Sequence, residues 1–545
     1  MRRWMVQMGT ATVILVISVG LLLAGHSKAD VHQESAVVRE CSLQIVESES
    51  GARVSFCSAS GPEESIRIDA WLQAEKQCLF LPAVFREQEV IFGEDTLVLE
   101  EGELLLSDSM GNPVELEIFF GSEIPFAYIE TASGDLQFLQ QSKENKETGS
   151  LYFVNDDQNV EYAGDLDKVK IRGNATRLQP KVPFRIGLAE SISLAGLDAS
   201  KDYVLLAEYG DISLMHNKVA MELANHTTEL YQPDGEHIDL YVNGQYMGVY
   251  LLCEGISIGE NRLNIEDLEA ETALLNGKDL KQYGTFADIS GEDTMMKGYE
   301  IPRNPEDISG GYLLELEYHG RYEGEETTGF RTKQDWSLVL KEPSRASREQ
   351  VAYIRDHFQQ TENAMYAEDW IDPESGKSLQ ELVNLESFVH KYMMDEICMN
   401  TDPWTSQFLY KNKEDDRFYF GPMWDYDMAF GHYDTGFSPD EFYCNWHIWY
   451  EAVYDHPEFQ KILKETYEEV YLPFLQELTD IKMEKWKQEL AASARMNFTR
   501  WNIEEIYSRN SVIRRGNSFE ECVDFLKDFI EARTEFLSSE WLENH

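Results

Sequence analysis

The chain of 545 residues has room for a large core and about two or three domains. With 43% hydrophobic and 27% charged side chains, its composition excludes wholesale disorder. Lys and Arg number 47 against 99 Asp and Glu, and the resulting net charge of −52 excludes non-specific binding to nucleic acid or an anionic membrane.

The acidic charge is spread along the chain rather than gathered in one tail. It would steer a basic protein partner favourably, and it would also keep an exported protein soluble. The N-terminus reads as an export signal. Arg2 and Arg3 precede an apolar stretch from Thr10 to Ala24, and Ser27-Lys28-Ala29 has the small-x-small form of a cleavage site before Asp30. Residues 1–29 are therefore expected to be a cleaved signal peptide. The apolar run extends back towards Trp4, so the alternative is a retained membrane anchor, the only membrane contact expected. Either way the protein is expected outside the cytoplasm, secreted or on the extracellular face of the membrane.

Seven cysteines (Cys41, Cys57, Cys78, Cys253, Cys398, Cys444 and Cys522) form no CxxC or zinc pattern. The first three allow a single disulfide outside the cytoplasm, and the last four read as core thiols.

Residues 30–163 carry short strand-like runs such as Arg53-Val54-Ser55-Phe56 and Glu115-Leu116-Glu117-Ile118, which predict a β-sandwich-like module. Residues 164–340 mix strands with a few helices. Val169-Lys170-Ile171-Arg172 runs into a turn at Gly173-Asn174. Lys181 to Ile186 is predicted as a strand, at a sheet edge because of its prolines, with Lys181 and Arg185 on one face. Asp211 is the expected N-cap of a helix through Leu223. Asn243-Gly244 between Ile238–Val242 and Tyr246–Leu252 predicts a tight hairpin. Glu254 closes its second arm, either at a site or emerging into solvent. From Ser347 onward the pattern is mainly helical, with amphipathic stretches at 459–478 and 519–541.

The helical part is interrupted between Asp402 and Gly431. Gly421-Pro422-Met423-Trp424-Asp425-Tyr426-Asp427-Met428-Ala429-Phe430-Gly431 places two carboxylates one residue apart in aromatic and aliphatic surroundings. This predicts a largely buried, extended segment with Asp425 and Asp427 on one face. Two like charges there need a cation or hydrogen-bond donors. Mg²⁺ and a turn capped by backbone N–H groups both satisfy that need. Asp402 lies 23 residues upstream, and the predicted hairpin Phe408–Tyr410 with Phe418–Phe420 returns Asp425 to its side. One acid before such an excursion and a pair after it resembles a phosphoryl-transfer site. Asp402 before Pro403 also suits an ordinary turn. Lys181 could hold phosphates as a point charge, or be an ordinary surface lysine.

Together these segments resemble the spore-coat-protein-H (CotH) kinase family of atypical protein kinases. The resemblance rests on Lys170-Ile171-Arg172-Gly173-Asn174-Ala175-Thr176 with Pro180-Lys181, and on Tyr203-Val204-Leu205-Leu206-Ala207 with Asp211 and Asn217. It continues through Tyr241-Val242-Asn243-Gly244, Tyr250-Leu251-Leu252-Cys253-Glu254 and Gly310-Gly311-Tyr312-Leu313-Leu314-Glu315-Leu316-Glu317. Asn400-Thr401-Asp402 and Phe420-Gly421-Pro422-Met423-Trp424-Asp425-Tyr426-Asp427 complete it.

The resemblance implies an α+β protein. A β-rich N-terminal module would precede an atypical two-lobed protein-kinase-like domain over 164–545, with an N-lobe-like part to 340 and a helical C-lobe-like part from 341. It implies that ATP and Mg²⁺ bind and that the γ-phosphoryl group passes to Ser or Thr of a protein. By matching position, Lys181 would contact the phosphates and Asp402 would orient the hydroxyl. Arg172, Asn174 and Glu254 would belong to the nucleotide site, with Glu254 at its hinge. Asp425 and Asp427 would bind metal.

Three positions depart from the family pattern. His216 replaces an Arg, Ala175 replaces a Ser, and Gln407 stands where a metal-binding Asn is expected. Gln is one methylene longer, and Mg²⁺ tolerates little geometric error. A second expectation therefore stands beside the first: a weak or inactive kinase-like binding or structural protein of the cell surface or spore coat.

Overall fold

The computed structural model describes residues 40–48, 51–59, 65–73, 76–92, 95–108, 110–291, 293–401, 405–433 and 436–543. The expected export signal at 1–29 and Asp402 lie outside the described residues. The chain folds into two compact units, each built from separate stretches of sequence. Of the described residues, the first takes those within 40–212, 235–254 and 485–510, and the second those within 213–234, 255–484 and 511–543. The architecture is α+β, as the sequence predicts, with a β-rich N-terminal region and a helical C-terminal portion.

In the first unit the N-terminal strands form sheets of three, four and two strands. Phe56, Leu79, Phe80 and Leu116 fill a core that also takes in Tyr241, Tyr246 and Met496. Next comes a closed seven-stranded barrel: Phe126–Thr131, Glu147–Val154, Val160–Ile171, Phe184–Ile192, Ser200–Leu206, Gln245–Glu254 and Gly235–Val242. Parallel pairing of the first and last of these closes it, which removes the exposed sheet edges. Ile129, Phe153, Val169, Phe184, Leu240 and Leu252 pack its core. The strand Val160–Ile171, which holds the expected 163/164 boundary, pairs with Glu147–Val154 in the barrel.

The hairpin of the barrel is as predicted. Asn243 and Gly244 both have positive φ, 49° and 80°, the turn geometry that matches the twist of its arms. Lys181 does not sit in a strand. The strand starts at Phe184, so both prolines precede it and it takes an interior place in the barrel rather than an edge. Arg185 pairs with Asp202 (3.2 Å), whereas Lys181 bonds to Val249 and Asn497.

The second unit contains a seven-stranded antiparallel sheet in the order Thr285–Ser290, Asp293–Tyr299, Gly329–Arg331, Ser337–Glu342, Tyr312–Leu316, Gln407–Lys411, Tyr419–Phe420. Its helices include Arg348–Met365, Leu385–Cys398, Pro457–Thr466 and Phe519–Ser538. The helix expected from Asp211 begins later, as His216–Thr227. Strands from 285 to 342 share the second unit with the helices, while 485–510 joins the first.

No disulfide forms among the cysteines, all of which are free thiols. Cys41 lies opposite Ser58 and Cys57 opposite Ser42, so the two thiols leave opposite faces of their sheet. No helix among the described residues is long and apolar enough to cross a membrane.

Candidate functional site

In the first unit the chemistry gathers around Lys181, whose side chain is 1% exposed. Its ammonium donates to Val249 O (2.5 Å) and to Asn497 Oδ1 (3.0 Å), and it lies 4.7 Å from the centroid of the Tyr250 ring. Burial pushes its pKa down to about 7, against the pull of Glu208, Asp239 and Asp211. The surface-lysine alternative is thereby removed. Tyr250 donates to Val182 O (2.9 Å), tying the segment after Lys181 to the same strand.

Glu254 ends that strand but does not emerge into solvent. It is buried, and its Oε1 accepts Asp198 N (3.1 Å). Arg172 N donates to Pro183 O (3.0 Å), which brings the Arg172-Gly173-Asn174 turn beside the segment carrying Lys181. Asn174 is exposed, and its Oδ1 accepts Lys143 Nζ (3.5 Å). A Cβ at Gly173, where φ is +87°, would meet Thr176 Oγ1 at 2.1 Å, which explains a glycine in this turn.

Asn497 is not among the predicted site residues, and it belongs to a set of contacts made from one helix and its end. Ser493 and Asn497 stand four residues apart and so share a face of the helix Met483–Arg500, and Trp501 follows directly after its end, its backbone N–H donating to Asn497 O (2.7 Å). Ser493 Oγ donates to Asp239 Oδ2 (2.6 Å), Asn497 holds Lys181, and Trp501 Nε1 donates to Met247 O (2.8 Å). Tyr246 also donates to Asp239 (2.7 Å), yet burial raises the pKa of that carboxyl to about 6. The four-residue spacing of polar residues was the available signal, but polar residues on a helix usually face water.

In the second unit the acid pair sits on an irregular segment rather than a buried extended one. Asp425 is exposed and has φ +70°, and Ser406, whose Oγ donates to Asp425 Oδ2 (3.2 Å), has φ +56°. Left-handed backbone at two non-glycine residues costs about 1–3 kcal/mol each and is concentrated at functional sites. Between the acids, Tyr426 is buried and its hydroxyl donates to Asp395 Oδ1 (3.0 Å). That anchor leaves Asp425 outside and Asp427 half-buried. Asn217 Oδ1 accepts Tyr426 N (3.0 Å) and Gln232 Oε1 accepts Met423 N (2.7 Å), fixing the backbone on either side of Asp425.

The excursion from Asp402 to Asp425 closes on itself. Thr401 Oγ1 donates to Met428 O (2.9 Å) and Phe430 N donates to Cys398 O (2.6 Å), so the chain just before Asp402 meets the chain just after Asp427. Its hairpin pairs Leu409 with Phe420 and Tyr410 with Tyr419, as the sequence predicts.

Gln407 is 4% exposed and its Nε2 donates to Asp395 Oδ2 (2.9 Å). Asp395 also receives Lys391 Nζ (2.6 Å) and Tyr450 OH (2.8 Å). One carboxylate therefore fixes both Gln407 and Tyr426. On the neighbouring strand Glu315 pairs with Lys341 (2.7 Å). Burial raises the Glu315 pKa, and the charges of Glu326 and Asp425 add to the rise. His216 lies over His432 (4.7 Å between rings) and meets Ser213 Oγ through Nδ1 (3.1 Å).

Asp425 is thus an exposed carboxylate on constrained backbone, beside a hairpin whose two ends are tied together. The family model described as CotH kinase protein matches residues 169–537. The chain belongs to the CotH kinase family. No curated protein matches it. The matched span begins within the barrel strand Val160–Ile171 and ends within the helix Phe519–Ser538, so it takes in residues of both units. For a CotH kinase family member, Lys181, Arg172, Asn174 and Glu254 belong to the first unit, and Asp425, Asp427 and Gln407 to the second.

Proposed function

We propose that the protein is an exported, Mg²⁺-dependent protein kinase that transfers the ATP γ-phosphoryl group to Ser or Thr of a protein, secreted or held at the extracellular face of the membrane. The observation that carries this reading is Asp425, an exposed carboxylate on left-handed backbone above an anchored Tyr426. The donor set suits a hard cation: an outward carboxylate, Asp427 on the same segment, and Gln407, whose Oε1 is the atom that would ligate. Bound Mg²⁺ would neutralise charge on the phosphates and hold them in line.

The chain's own groups would do the positioning. Lys181 Nζ would pair with phosphate oxygens, and the buried Glu254 and the Arg172–Asn174 turn would complete nucleotide contacts. Asp402 would accept the proton-bearing hydroxyl of the substrate and orient its oxygen. The acidic surface would favour a basic protein substrate.

A second reading, a kinase-like binding or structural protein of the cell surface or spore coat without turnover, is favoured by one observation. Gln407 is tied to Asp395, which restricts how far its oxygen can follow a second metal. The test compares Mg²⁺–ATP stabilisation and autophosphorylation of the wild type with Asp402→Ala and Asp425→Ala. Phosphate incorporation by the wild type alone supports the kinase. Nucleotide binding without incorporation supports the second reading, and no binding by any of the three proteins overturns both nucleotide roles.

A further inference from the structure

We infer that Asn497 is a positioning residue for Lys181: the helix Met483–Arg500 sets where the ammonium is held. The inference rests on the reading of Lys181 as the phosphate-binding lysine. Asn497 Oδ1 accepts both Lys181 Nζ (3.0 Å) and Val249 N (3.2 Å), and Val249 O accepts Lys181 Nζ (2.5 Å). The three groups close a ring in which each fixes the other two.

The surroundings are built for this ring. Gly248 has φ +111°, and a Cβ there would meet Asn497 Oδ1 at 2.4 Å and Lys181 Cε at 2.9 Å. No side chain fits between the strand and the helix. One helical turn to either side, Ser493 on Asp239 and Trp501 on Met247 lock the helix in register. Met496 lies in the apolar core on the same stretch. A rotation of the helix would therefore break three polar contacts together.

The chemistry of the partner matters as much as its place. The charged groups that act on Lys181 are Glu208 and Asp211, after the strand Ser200–Leu206, and Asp239 on Gly235–Val242, while Tyr250 offers a ring face. Asp239 already receives Tyr246 and Ser493. The side chain in direct contact with the ammonium is the neutral amide of Asn497. It holds Nζ without neutralising it, so the lysine can exchange a fixed amide for an anionic phosphate. A carboxylate in that place would compete with the phosphate.

The test uses the full chain carrying ¹³Cε-lysine, with the Lys181 resonance assigned by its loss in Lys181→Met. Its titration midpoint is followed in wild type, Asn497→Asp and Asn497→Leu, alongside Mg²⁺–ATP affinity at pH 6 and pH 8.5 by calorimetry. Asn497→Asp should raise the midpoint by about 1–3 pH units, the effect of an opposite charge at contact distance. Asn497→Leu should shift the resonance and weaken nucleotide binding about tenfold or more at pH 6. An unchanged Lys181 midpoint in folded Asn497→Asp overturns the inference, even if Asn497→Leu fails to fold. If the midpoint moves but the wild type binds no nucleotide at either pH, the positioning role stands and the kinase reading fails.

Discussion

Gln407 Nε2 donates to Asp395 Oδ2 at 2.9 Å, and both side chains are buried. The residue at the expected metal-ligand position thus shares a carboxylate with Tyr426, which anchors the acid pair, and with Tyr450. The carboxylate joins Gln407 to Tyr426, the neighbour of Asp425, with Lys391 supplying the compensating positive charge at 2.6 Å.

Asp395→Ala should therefore unfold the second unit more readily. It leaves the Lys391 ammonium buried without its counter-charge, a loss of about 3–5 kcal/mol. Denaturant unfolding measures it. Lys391→Met combined with Asp395→Leu should recover a substantial part, because the isolated charge is gone. A single-variant cost below about 1 kcal/mol would mean that the network does not hold the segment.

Asn217→Ala removes the acceptor of Tyr426 N while leaving every carboxylate in place. If the backbone at Asp425 is set by this bond, Mn²⁺ affinity, read by electron paramagnetic resonance, should fall about 10–100-fold, as for other groups that orient metal ligands. Wild-type affinity in the variant would separate Asn217 from the metal site.

Gly248→Ala adds a Cβ where φ is +111° and where Asn497 Oδ1 and Lys181 Cε already stand. The backbone penalty alone is about 1–3 kcal/mol, and the clash adds to it. Thermal unfolding should show the loss. Gly196→Ala, also at positive φ (+77°) but with open space around it, should show the backbone penalty alone.

Lys181 gives the first unit a definable pH dependence. Its pKa falls from the usual 10.5 to about 7 on folding, so the unfolded chain binds the proton more tightly. The contribution to stability is fully present above pH 10.5 and is lost as pH falls towards 7. The stability of the wild type relative to Lys181→Met should rise between pH 7 and pH 10, by on the order of a few kcal/mol. Denaturant midpoints at three pH values test this, and a flat difference would contradict the lowered pKa of the buried lysine.

Local pattern was enough for several elements. The Asn243-Gly244 hairpin, the return of the 407–420 excursion and the late amphipathic helices follow from turn chemistry and apolar periodicity, which act over a few residues. The ordered family motifs single out Lys181, Glu254 and Asp425 as candidates in the same way. What sequence alone determined was therefore the set of chemical groups, their order and the kinase family.

The tertiary structure decided their states. Alternation in an apolar run predicts burial of Asp425, yet the anchor from Tyr426 to Asp395 turns Asp425 outward, because a buried hydroxyl must find an acceptor. Lys181 reads as a surface lysine until a helix more than three hundred residues later supplies Asn497. Hydrogen-bond partners so distant in sequence leave no periodic trace. Whether a lysine is solvated or buried, and whether a glutamine is free or tethered, depends on what the fold brings against it.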